Sequence, residues 1–318
     1  MRIREPSLPP GWYPQNAGAI SRFLESWKTR TPEPSETGFG PGRNGGIAAL
    51  SPHAGWYYSG ASAAAAFSWL DEGAETLAIL GGHLAAASPV LVAAEDAFRS
   101  PLGLMEIDGE LRDALCSALS GAGGGAGTGE GAGAEAGASP SPGWRPDTYR
   151  DNTVEVLVPM ARFFFPCARL LALRLPADSS SYETGRLLAE AAGALGRKLA
   201  VVGSTDLTHY GRNYGFKPRG EGEGALAWVR DVNDRRFIEA VLSGDPGAVL
   251  DRAEGERSAC SAGAVLGVLG FVQNCIPGGN RTSTGRSVPK LLAYATSADA
   301  DGGGVPDSFV GYAAIGWK

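Results

Sequence analysis

Basic charge and long apolar runs are both scarce in this chain of 318 residues. Its formal net charge is −6, with 28 lysines and arginines against 34 acidic residues. Because no basic stripe is present to displace counterions, a nucleic-acid backbone is excluded as the main partner. No apolar run approaches the roughly 20 residues that a membrane span needs, and the polar, proline-rich segment 1–10 does not resemble a signal peptide. We therefore expect a cytoplasmic protein that binds neither nucleic acid nor membrane.

Cysteine is also scarce, and its spacing excludes several kinds of site. The four cysteines, Cys116, Cys167, Cys260 and Cys275, form no CxxC pair, so zinc ribbons and iron–sulfur clusters are excluded. A chain without a tight cysteine framework is typical of a reducing compartment. No G-x-G-x-x-G motif follows a strand-like run and opens a helix, so no dinucleotide cofactor is predicted.

Apolar runs typical of strands alternate with helical periodicity along the chain. The predicted strands are 47–50, 77–80, 170–175, 199–203, 289–296 and 309–315, and the predicted helices are 61–70, 182–195, 226–242 and 260–272. This alternation is typical of an α/β fold. We expect a single domain spanning residues 1–318, with a central mixed, largely parallel sheet flanked by helices. In such sheets ligands bind beyond the carboxyl ends of the strands.

One segment differs sharply in composition from the rest. Residues 121–143 consist almost entirely of Gly, Ala, Ser, Pro and Glu, and such a segment has too little apolar surface to offset the entropy cost of ordering. Helical periodicity precedes it at Leu111, Leu115 and Leu119 and resumes over residues 154–161. We predict a flexible Gly/Ala-rich insertion within one domain and not a domain boundary.

The chain has only three histidines, and each of them follows an apolar, strand-like run. His53 follows the run 46–52, His83 follows 77–82, and His209 follows 199–208. Because carboxyl ends of parallel strands meet at one edge of a sheet, we expect the three imidazoles to lie near one another. Imidazoles placed in this way are suited to a metal site or to general acid/base catalysis.

Polar groups are dense around the third histidine. Asp206 and His209 are close enough in sequence to share a site in which the carboxylate orients the imidazole or balances its charge. Capping of a helix is the alternative role for these residues. Hydrolysis through Ser204, Asp206 and His209 is a further hypothesis, although the G-x-S-x-G nucleophile elbow is absent.

Cys260 is the fourth candidate site residue. It lies at the start of the predicted apolar helix 260–272, and a helix N-terminus favours thiolate over thiol. A thiolate with two imidazoles is a plausible ligand set for zinc, copper or iron. The alternative is a small buried hydrophobic residue with no chemical role.

The first histidine lies in a motif that is rich in aromatic residues and glycine. In Pro52-His53-Ala54-Gly55-Trp56-Tyr57-Tyr58-Ser59-Gly60, glycine allows close backbone approach and the aromatic rings can form apolar walls. A helix-entry turn packed with aromatic core residues would explain the rings but not His53.

This motif resembles the PHAGxxYSG signature of the Memo family, the middle partner of the AMMECR1/Memo/radical-SAM gene grouping. Further similarity follows in the family's order from about residue 11 to residue 316. It comprises Gly11-Trp12-Tyr13-Pro14, Gly81-Gly82-His83, Ser100-Pro101-Leu102-Gly103, Ser204-Thr205-Asp206-Leu207-Thr208-His209-Tyr210-Gly211, Tyr294, Ser297 and Gly311-Tyr312-Ala313-Ala314. Two positions depart from the family pattern: Asn152 stands where an E-H-S-x-E stretch has histidine, whereas Glu155 is retained, and Ser261 replaces the glycine that usually follows Cys260.

The resemblance implies a fold shared with class III extradiol ring-cleaving dioxygenases. It implies that His53, His83 and Cys260 bind a metal, with Cys260 replacing the carboxylate ligand of those enzymes, and that His209 with Asp206 is the acid/base pair. Fe(II) and copper are the metals expected, with zinc as a further option. AMMECR1-like and radical-SAM proteins are the implied partners.

Two hypotheses on function follow. The first is a metal-dependent oxidoreductase of the non-haem dioxygenase-like type acting on an aromatic or peptidyl substrate. Trp12, Tyr57, Tyr58, Asn152 and Glu155 are its expected substrate-pocket residues. The second is a non-catalytic protein that binds a peptide or phosphopeptide in a vestigial metal pocket. Phosphopeptide binding is described for human relatives, and Arg99 and Arg212 are the few basic residues near the motifs.

Overall fold

The computed structural model describes residues 1–28, 45–122, 143–275, 287–300 and 304–318. Its strands are β1 Ile3–Arg4, β2 Ala48–Ser51, β3 Thr76–Leu84, β4 Val90–Ala93, β5 Ala97–Ser100, β6 Gly103–Glu106, β7 Trp144–Asp147, β8 Arg169–Pro176, β9 Leu199–Ser204, β10 His209–Gly211, β11 Pro289–Thr296 and β12 Ser308–Trp317. Its helices are α1 Ala17–Lys28, α2 Trp56–Trp69, α3 Gly109–Ala122, α4 Asn152–Glu155, α5 Val158–Phe164, α6 Ser180–Ala194, α7 Glu223–Trp228, α8 Asp234–Ser243, α9 Pro246–Gly255 and α10 Ala262–Asn274.

Within the described residues, nine strands form one mixed sheet around a parallel centre. Its order is β10-β12-β2-β9-β3-β8-β4-β7, with β11 paired to the other edge of β12. The four central strands β2, β9, β3 and β8 are parallel to one another, whereas β12 runs antiparallel to β2 and β4 antiparallel to β8. A smaller sheet has the order β1-β5-β6. The predicted single α/β domain with a mixed, largely parallel sheet is confirmed.

Helices cover both faces of the large sheet, because side chains of successive strand residues point to opposite faces. In β3, Ala78 and Leu80 belong to the core that packs against α3, α6 and α10. The intervening Leu77 and Ile79 belong to the core that packs against α1, α2 and α5. Strands buried on both faces in this way have continuous apolar sequences, which is why these runs were recognisable from the sequence.

Several predicted boundaries differ from the structure. The predicted helix 226–242 is two α-helices, α7 and α8, joined by the π-helical turn Val229–Asn233. The predicted helix start at Cys260 is wrong: α10 begins at Ala262, with Ser261 as its N-cap. The strands β4 to β7 were not predicted, because each has only four residues and β7 includes a proline and two charged side chains.

Most of the predicted Gly/Ala-rich insertion, residues 123–142, lies outside the described residues, so its flexibility stays a prediction. Helix α3 ends at Ala122 and β7 begins at Trp144, and both belong to the same domain. No helix in the described ranges has both the length and the hydropathy of a membrane span.

Candidate metal centre

The carboxyl ends of the central strands bring three candidate ligands together. His53 follows β2, His83 lies near the end of β3, and Cys260 precedes α10. One ligand atom from each of the three lies within 4.8 Å of the other two. The two imidazole rings are nearly perpendicular, at 89°, with centroids 5.0 Å apart. The sequence-based expectation that these residues cluster is therefore confirmed.

The Cys260 side chain contacts an imidazole ring and a backbone amide, and the residue lies before helix α10 and not inside it. Its Sγ lies 3.3 Å from His53 Nε2 and accepts a hydrogen bond from the Asp206 amide at 3.4 Å. In return the Cys260 amide donates to the Asp206 carbonyl at 3.2 Å. Burial disfavours the thiolate, but the adjacent His53 and His83 outweigh it and hold the pKa of Cys260 well below its ordinary value. The sulfur is thus prepared to act as an anionic ligand.

The ring of His53 is fully buried and its tautomer follows from its neighbours. Ser204 Oγ donates its only proton to the Thr153 carbonyl. At 2.9 Å from His53 Nδ1, the same oxygen must therefore accept the Nδ1–H. This arrangement leaves Nε2 of His53 facing the Cys260 sulfur, where it can coordinate a metal.

His83 is oriented by a carboxylate. Its Nδ1 donates to Asp151 Oδ2 at 3.0 Å, and its backbone has a φ of 60°, which is uncommon for a residue other than glycine. Burial opposes protonation, but Asp151 and Cys260 raise the pKa of His83 to about 10. A metal ion must displace this proton, so binding there would release protons.

Asp151 is stabilised by Arg174, which also forms an ion pair with Asp147. Arg174 Nη1 lies 3.2 Å from Asp151 Oδ2, and the same guanidinium donates two hydrogen bonds to Asp147, at 3.1 and 3.2 Å. Arg174 is a buried charged residue inside β8, whose other charged residue, Arg169, is exposed at the first position of the strand. Buried charges require partners, so Arg174 fixes Asp151, and Asp151 fixes His83.

The two glycines before His83 let neighbouring elements approach β3 closely. A Cβ added at Gly81 would lie 2.3 Å from Thr153 Oγ1, and one at Gly82 would lie 2.4 Å from the Ser261 side chain. Without side chains at these positions, α4 packs against β3 from one direction and the Cys260–Ser261 segment from the other. The Gly-Gly-His sequence is thus needed to bring the ligands together.

His209 lies next to this cluster and has a different environment. Its Nδ1 is 3.1 Å from the Leu207 carbonyl, so Nδ1 is the donor and Nε2 is left available. Its ring packs edge-on against Tyr214, with centroids 4.9 Å apart. Asp206 does not hold this ring: its Oδ1 accepts a hydrogen bond from the His53 amide at 2.7 Å. Asp206 can affect His209 only through charge, so orientation by Asp206 is not observed.

Most of this chain matches the model of a known protein family. The family model described as Memo-like protein matches residues 4–126 and 143–316. The chain belongs to the Memo-like family. This family assignment confirms the resemblance found in the sequence.

Curated relatives in archaea match this Memo-like chain over nearly its whole length. A MEMO1 family protein of Methanosarcina mazei is 26% identical over 324 residues, covering 99% of each chain. Similar proteins of Pyrococcus abyssi and Methanopyrus kandleri are 27% and 28% identical and cover 98% of each chain. Among solved structures, uncharacterized protein JW3007 of Escherichia coli K12 matches with a TM-score of 0.45 and 12% identity, covering 84% of this chain and 98% of that one. That likeness is too remote to add to the argument.

The two residues of the Memo-family stretch that were expected in the substrate pocket have structural contacts. Asn152 Nδ2 donates to the His53 carbonyl at 3.1 Å. Glu155 accepts hydrogen bonds from the amides of Ser7 and Leu8, at 2.7 and 2.8 Å, and so ties down the N-terminal segment. Glu155 lines a cavity of about 260 Å³ whose lining residues do not include the three candidate ligands. The N-terminal segment occupies its carboxylate, and its expected role in the substrate pocket stays a prediction.

The aromatic residues divide between the surface and the core. Tyr57 and Tyr58 are 62% and 45% exposed and pack edge to face, with centroids 4.9 Å apart. Trp12 is partly buried, and its carbonyl accepts a hydrogen bond from the amide of Trp56, the first residue of α2, at 2.8 Å. Burial, together with Asp206 and Tyr58, raises the pKa of Tyr214, so Tyr58 lies on the His209 side of the site.

Sequence reasoning missed the buried carboxyl that supports the His209 loop. Asp234 Oδ1 accepts a hydrogen bond from the Thr208 amide at 3.1 Å, and Oδ2 accepts one from the Tyr294 hydroxyl at 2.8 Å. Burial raises the pKa of Asp234 to about 7, although these hydrogen bonds oppose the shift. Helical periodicity gave no signal for this residue, because the π-helical turn before it shifts the register.

The hydrolase hypothesis is not supported by this geometry. Ser204 is fully buried, and its hydroxyl is already shared between His53 and Thr153. A nucleophilic serine needs an adjacent base and access to substrate. Ser204 is therefore a support for His53 and not the partner of His209.

Proposed function

We propose that this protein is a metal-dependent oxidoreductase of the non-haem dioxygenase-like type, with His53, His83 and Cys260 as ligands to one metal ion. The convergence of two imidazole nitrogens and one Sγ within 4.8 Å is the observation that supports it most directly. The Nδ1 atom of each histidine is engaged in a hydrogen bond, and Nε2 of His53 lies 3.3 Å from the sulfur.

The chemistry of these donors fits iron or copper, with zinc as a further option. Two imidazoles and one anionic ligand correspond to the two-histidine, one-carboxylate set of non-haem Fe(II) oxygenases, with a thiolate in place of the carboxylate. Thiolate is the softer ligand and improves the fit to Cu(I) and Zn²⁺. When bound, such a metal supplies a Lewis-acidic centre with open positions for substrate.

The protein's own residues have distinct tasks in this proposal. His209 accepts or returns a proton at Nε2, since its Nδ1–H is committed to the Leu207 carbonyl. Asp206 adds negative charge beside His53 and fixes the backbone of that ligand. Tyr57 and Tyr58 present exposed rings suited to an aromatic or peptidyl substrate.

Elemental analysis of the protein purified without added metal tests the first step. We expect near-stoichiometric iron, copper or zinc in the wild type and a large loss in His53→Ala. His209→Ala is the matched control and should keep its metal. Equal metal content in wild type and His53→Ala would refute the ligand assignment. Turnover of dioxygen or peroxide that a chelator abolishes would then support the redox step, whereas a zinc-only protein without turnover would refute it.

A second candidate function is binding of a peptide without catalysis. The exposed Tyr57–Tyr58 pair favours it. Asn152 favours it as well, because its amide group donates to the His53 carbonyl at a position where the family stretch that this segment resembles has a histidine. Phosphopeptides fit less well, because Arg99 is already paired with Glu5 at 2.8 Å, which leaves Arg212 from the predicted pair. Peptide binding that persists after chelation would favour this function over the oxidoreductase.

The partners and the cellular location of the protein are further proposals. We infer AMMECR1-like and radical-SAM proteins as partners from the family alone. Co-purification of tagged protein from its own host, followed by mass spectrometry, tests this inference. A cytoplasmic location agrees with four cysteines that are all free, and cell fractionation would test it.

A further inference from the structure

Thr153 occupies a position from which it contacts the supports of both candidate histidine ligands. It is fully buried in the first turn of α4 and packs directly against Gly81 of β3.

The side chain of Thr153 serves His83. Its Oγ1 donates to Asp151 Oδ1 and accepts a hydrogen bond from the Gly82 amide at 3.3 Å. The first contact orients the carboxylate that binds His83 Nδ1, and the second holds the backbone immediately before His83. Both contacts would disappear with the hydroxyl group.

The backbone of Thr153 serves His53. Its carbonyl accepts the proton of Ser204 Oγ, and this contact makes Ser204 the acceptor for His53 Nδ1–H. A change of side chain at Thr153 leaves this carbonyl in place. The Thr153 amide also donates to Asp151 Oδ1, at 2.8 Å, so the backbone contacts the supports of both histidines, whereas the hydroxyl contacts only those of His83.

We propose that Thr153 is a positioning residue whose hydroxyl fixes His83 and whose carbonyl, through Ser204, fixes His53. The inference rests on the proposed function for its purpose, since positioning the histidines matters most if both bind a metal. Groups that orient metal-binding histidines typically change metal affinity about 10- to 100-fold when they are lost.

The three histidines allow a direct test by NMR with ¹⁵N-labelled histidine, in metal-free full-length protein at one pH. Thr153→Val should shift the His83 ring nitrogens and leave those of His53 and His209 unchanged. Ser204→Ala should shift His53 instead, and Thr153→Ser should restore the wild-type His83 signals. Thr184→Val, which removes a buried threonine hydroxyl in α6, is the matched control and should shift none of them.

Titration with Co²⁺ as the probe supplies a second measurement. We expect Thr153→Val to lower Co²⁺ affinity about 10-fold and to alter the visible spectrum, with recovery in Thr153→Ser. Unchanged His83 signals in folded Thr153→Val, or shifts spread equally over all three histidines, would overturn the inference. If the wild type binds no Co²⁺ while the His83-specific shift is present, the proposed function fails and the positioning role stands.

Discussion

His53 and His209 both follow central strands of the sheet, yet their environments differ. His53 is 1% exposed, and its amide, carbonyl and ring nitrogens all contact neighbouring groups. The ring of His209 is only partly buried and is held by one backbone carbonyl and one tyrosine ring. A metal ligand needs a fixed ring, whereas an acid/base group needs an accessible nitrogen. The difference supports the proposed roles, with coordination at His53 and proton transfer at His209.

The largest expected effect is the loss of turnover when the His209 ring is removed. We expect His209→Ala to lower dioxygen or peroxide turnover about 100- to 10,000-fold, the usual contribution of a general acid/base. Its metal content should stay at the wild-type level, because Nε2 of His209 is not part of the ligand cluster. Elemental analysis and oxygen-electrode assays on the same preparation measure both. If His209→Ala lost metal as His53→Ala is expected to do, His209 would be a ligand and the comparison would fail.

Asp234 allows a second test of the difference between His53 and His209, since it supports the His209 loop through Thr208. Its pKa is raised from 3.8 to about 7 by burial, so the folded state holds this proton more tightly than the unfolded chain. The resulting stabilisation is complete below pH 4 and is lost as pH rises toward 7. Between pH 4 and pH 7, the free energy of unfolding of the wild type should fall by on the order of 4 kcal/mol relative to that of Asp234→Asn.

Urea unfolding of both proteins between pH 4.5 and 7.5 measures this difference, and the other titrating groups cancel in the comparison. A difference between wild type and Asp234→Asn that stays constant with pH would show that Asp234 does not bind a proton in this range. Ligand positions around His53 should be the same in both proteins, because the carboxyl group of Asp234 hydrogen-bonds to Thr208 and Tyr294 and not to His53, His83 or Cys260.

The sequence allowed prediction of the strands that end at the site, because the central strands are buried on both faces and therefore apolar throughout. Their carboxyl ends placed His53 and His83 together without any structure. Cys260 was predicted as a ligand from the apolar helix that follows it and from the family resemblance, although the helix starts two residues later than predicted. These features depend on local composition, which a sequence shows directly.

The supports of the ligands could not be predicted in the same way. Asp151 is joined to His83 and Arg174 across three separate elements, and no spacing rule connects such distant residues. The contacts of Glu155 with Ser7 and Leu8 could not be predicted either, because the N-terminal segment that binds it has no periodic pattern. An arginine inside an apolar strand, as at Arg174, is the one signal that could have pointed to a buried ion pair.

The reactivity of Cys260 should show a smaller effect, which tests whether this cysteine binds a metal together with His53. The imidazoles hold the pKa of Cys260 well below its ordinary value, whereas burial raises the pKa of Cys116 to about 11. Metal binding should shield Cys260, so we expect chelation to speed its alkylation about 10-fold, because the nucleophile is the thiolate. Buried Cys116 should stay slow and exposed Cys167 should react in both states. Peptide-level mass spectrometry follows every cysteine in one experiment. Equal labelling of Cys260 with and without chelator would make it a structural residue.

The smallest expected effect concerns the ring that packs on His209. Tyr214 contacts His209 edge-on at 4.9 Å, and such aromatic contacts contribute about 0.5–1.5 kcal/mol beyond simple burial. Tyr214→Ala should therefore lower stability by about 1 kcal/mol and shift the His209 ring signals, while Tyr214→Phe keeps the ring and should change little. Signals of His53 should be unaffected by either substitution, because hydrogen bonds and not aromatic packing fix that ring. Histidine NMR and urea unfolding measure the two quantities. A His53 shift as large as that of His209 would show that the two histidines move together and would remove the distinction between a fixed ligand and an adjustable acid/base group.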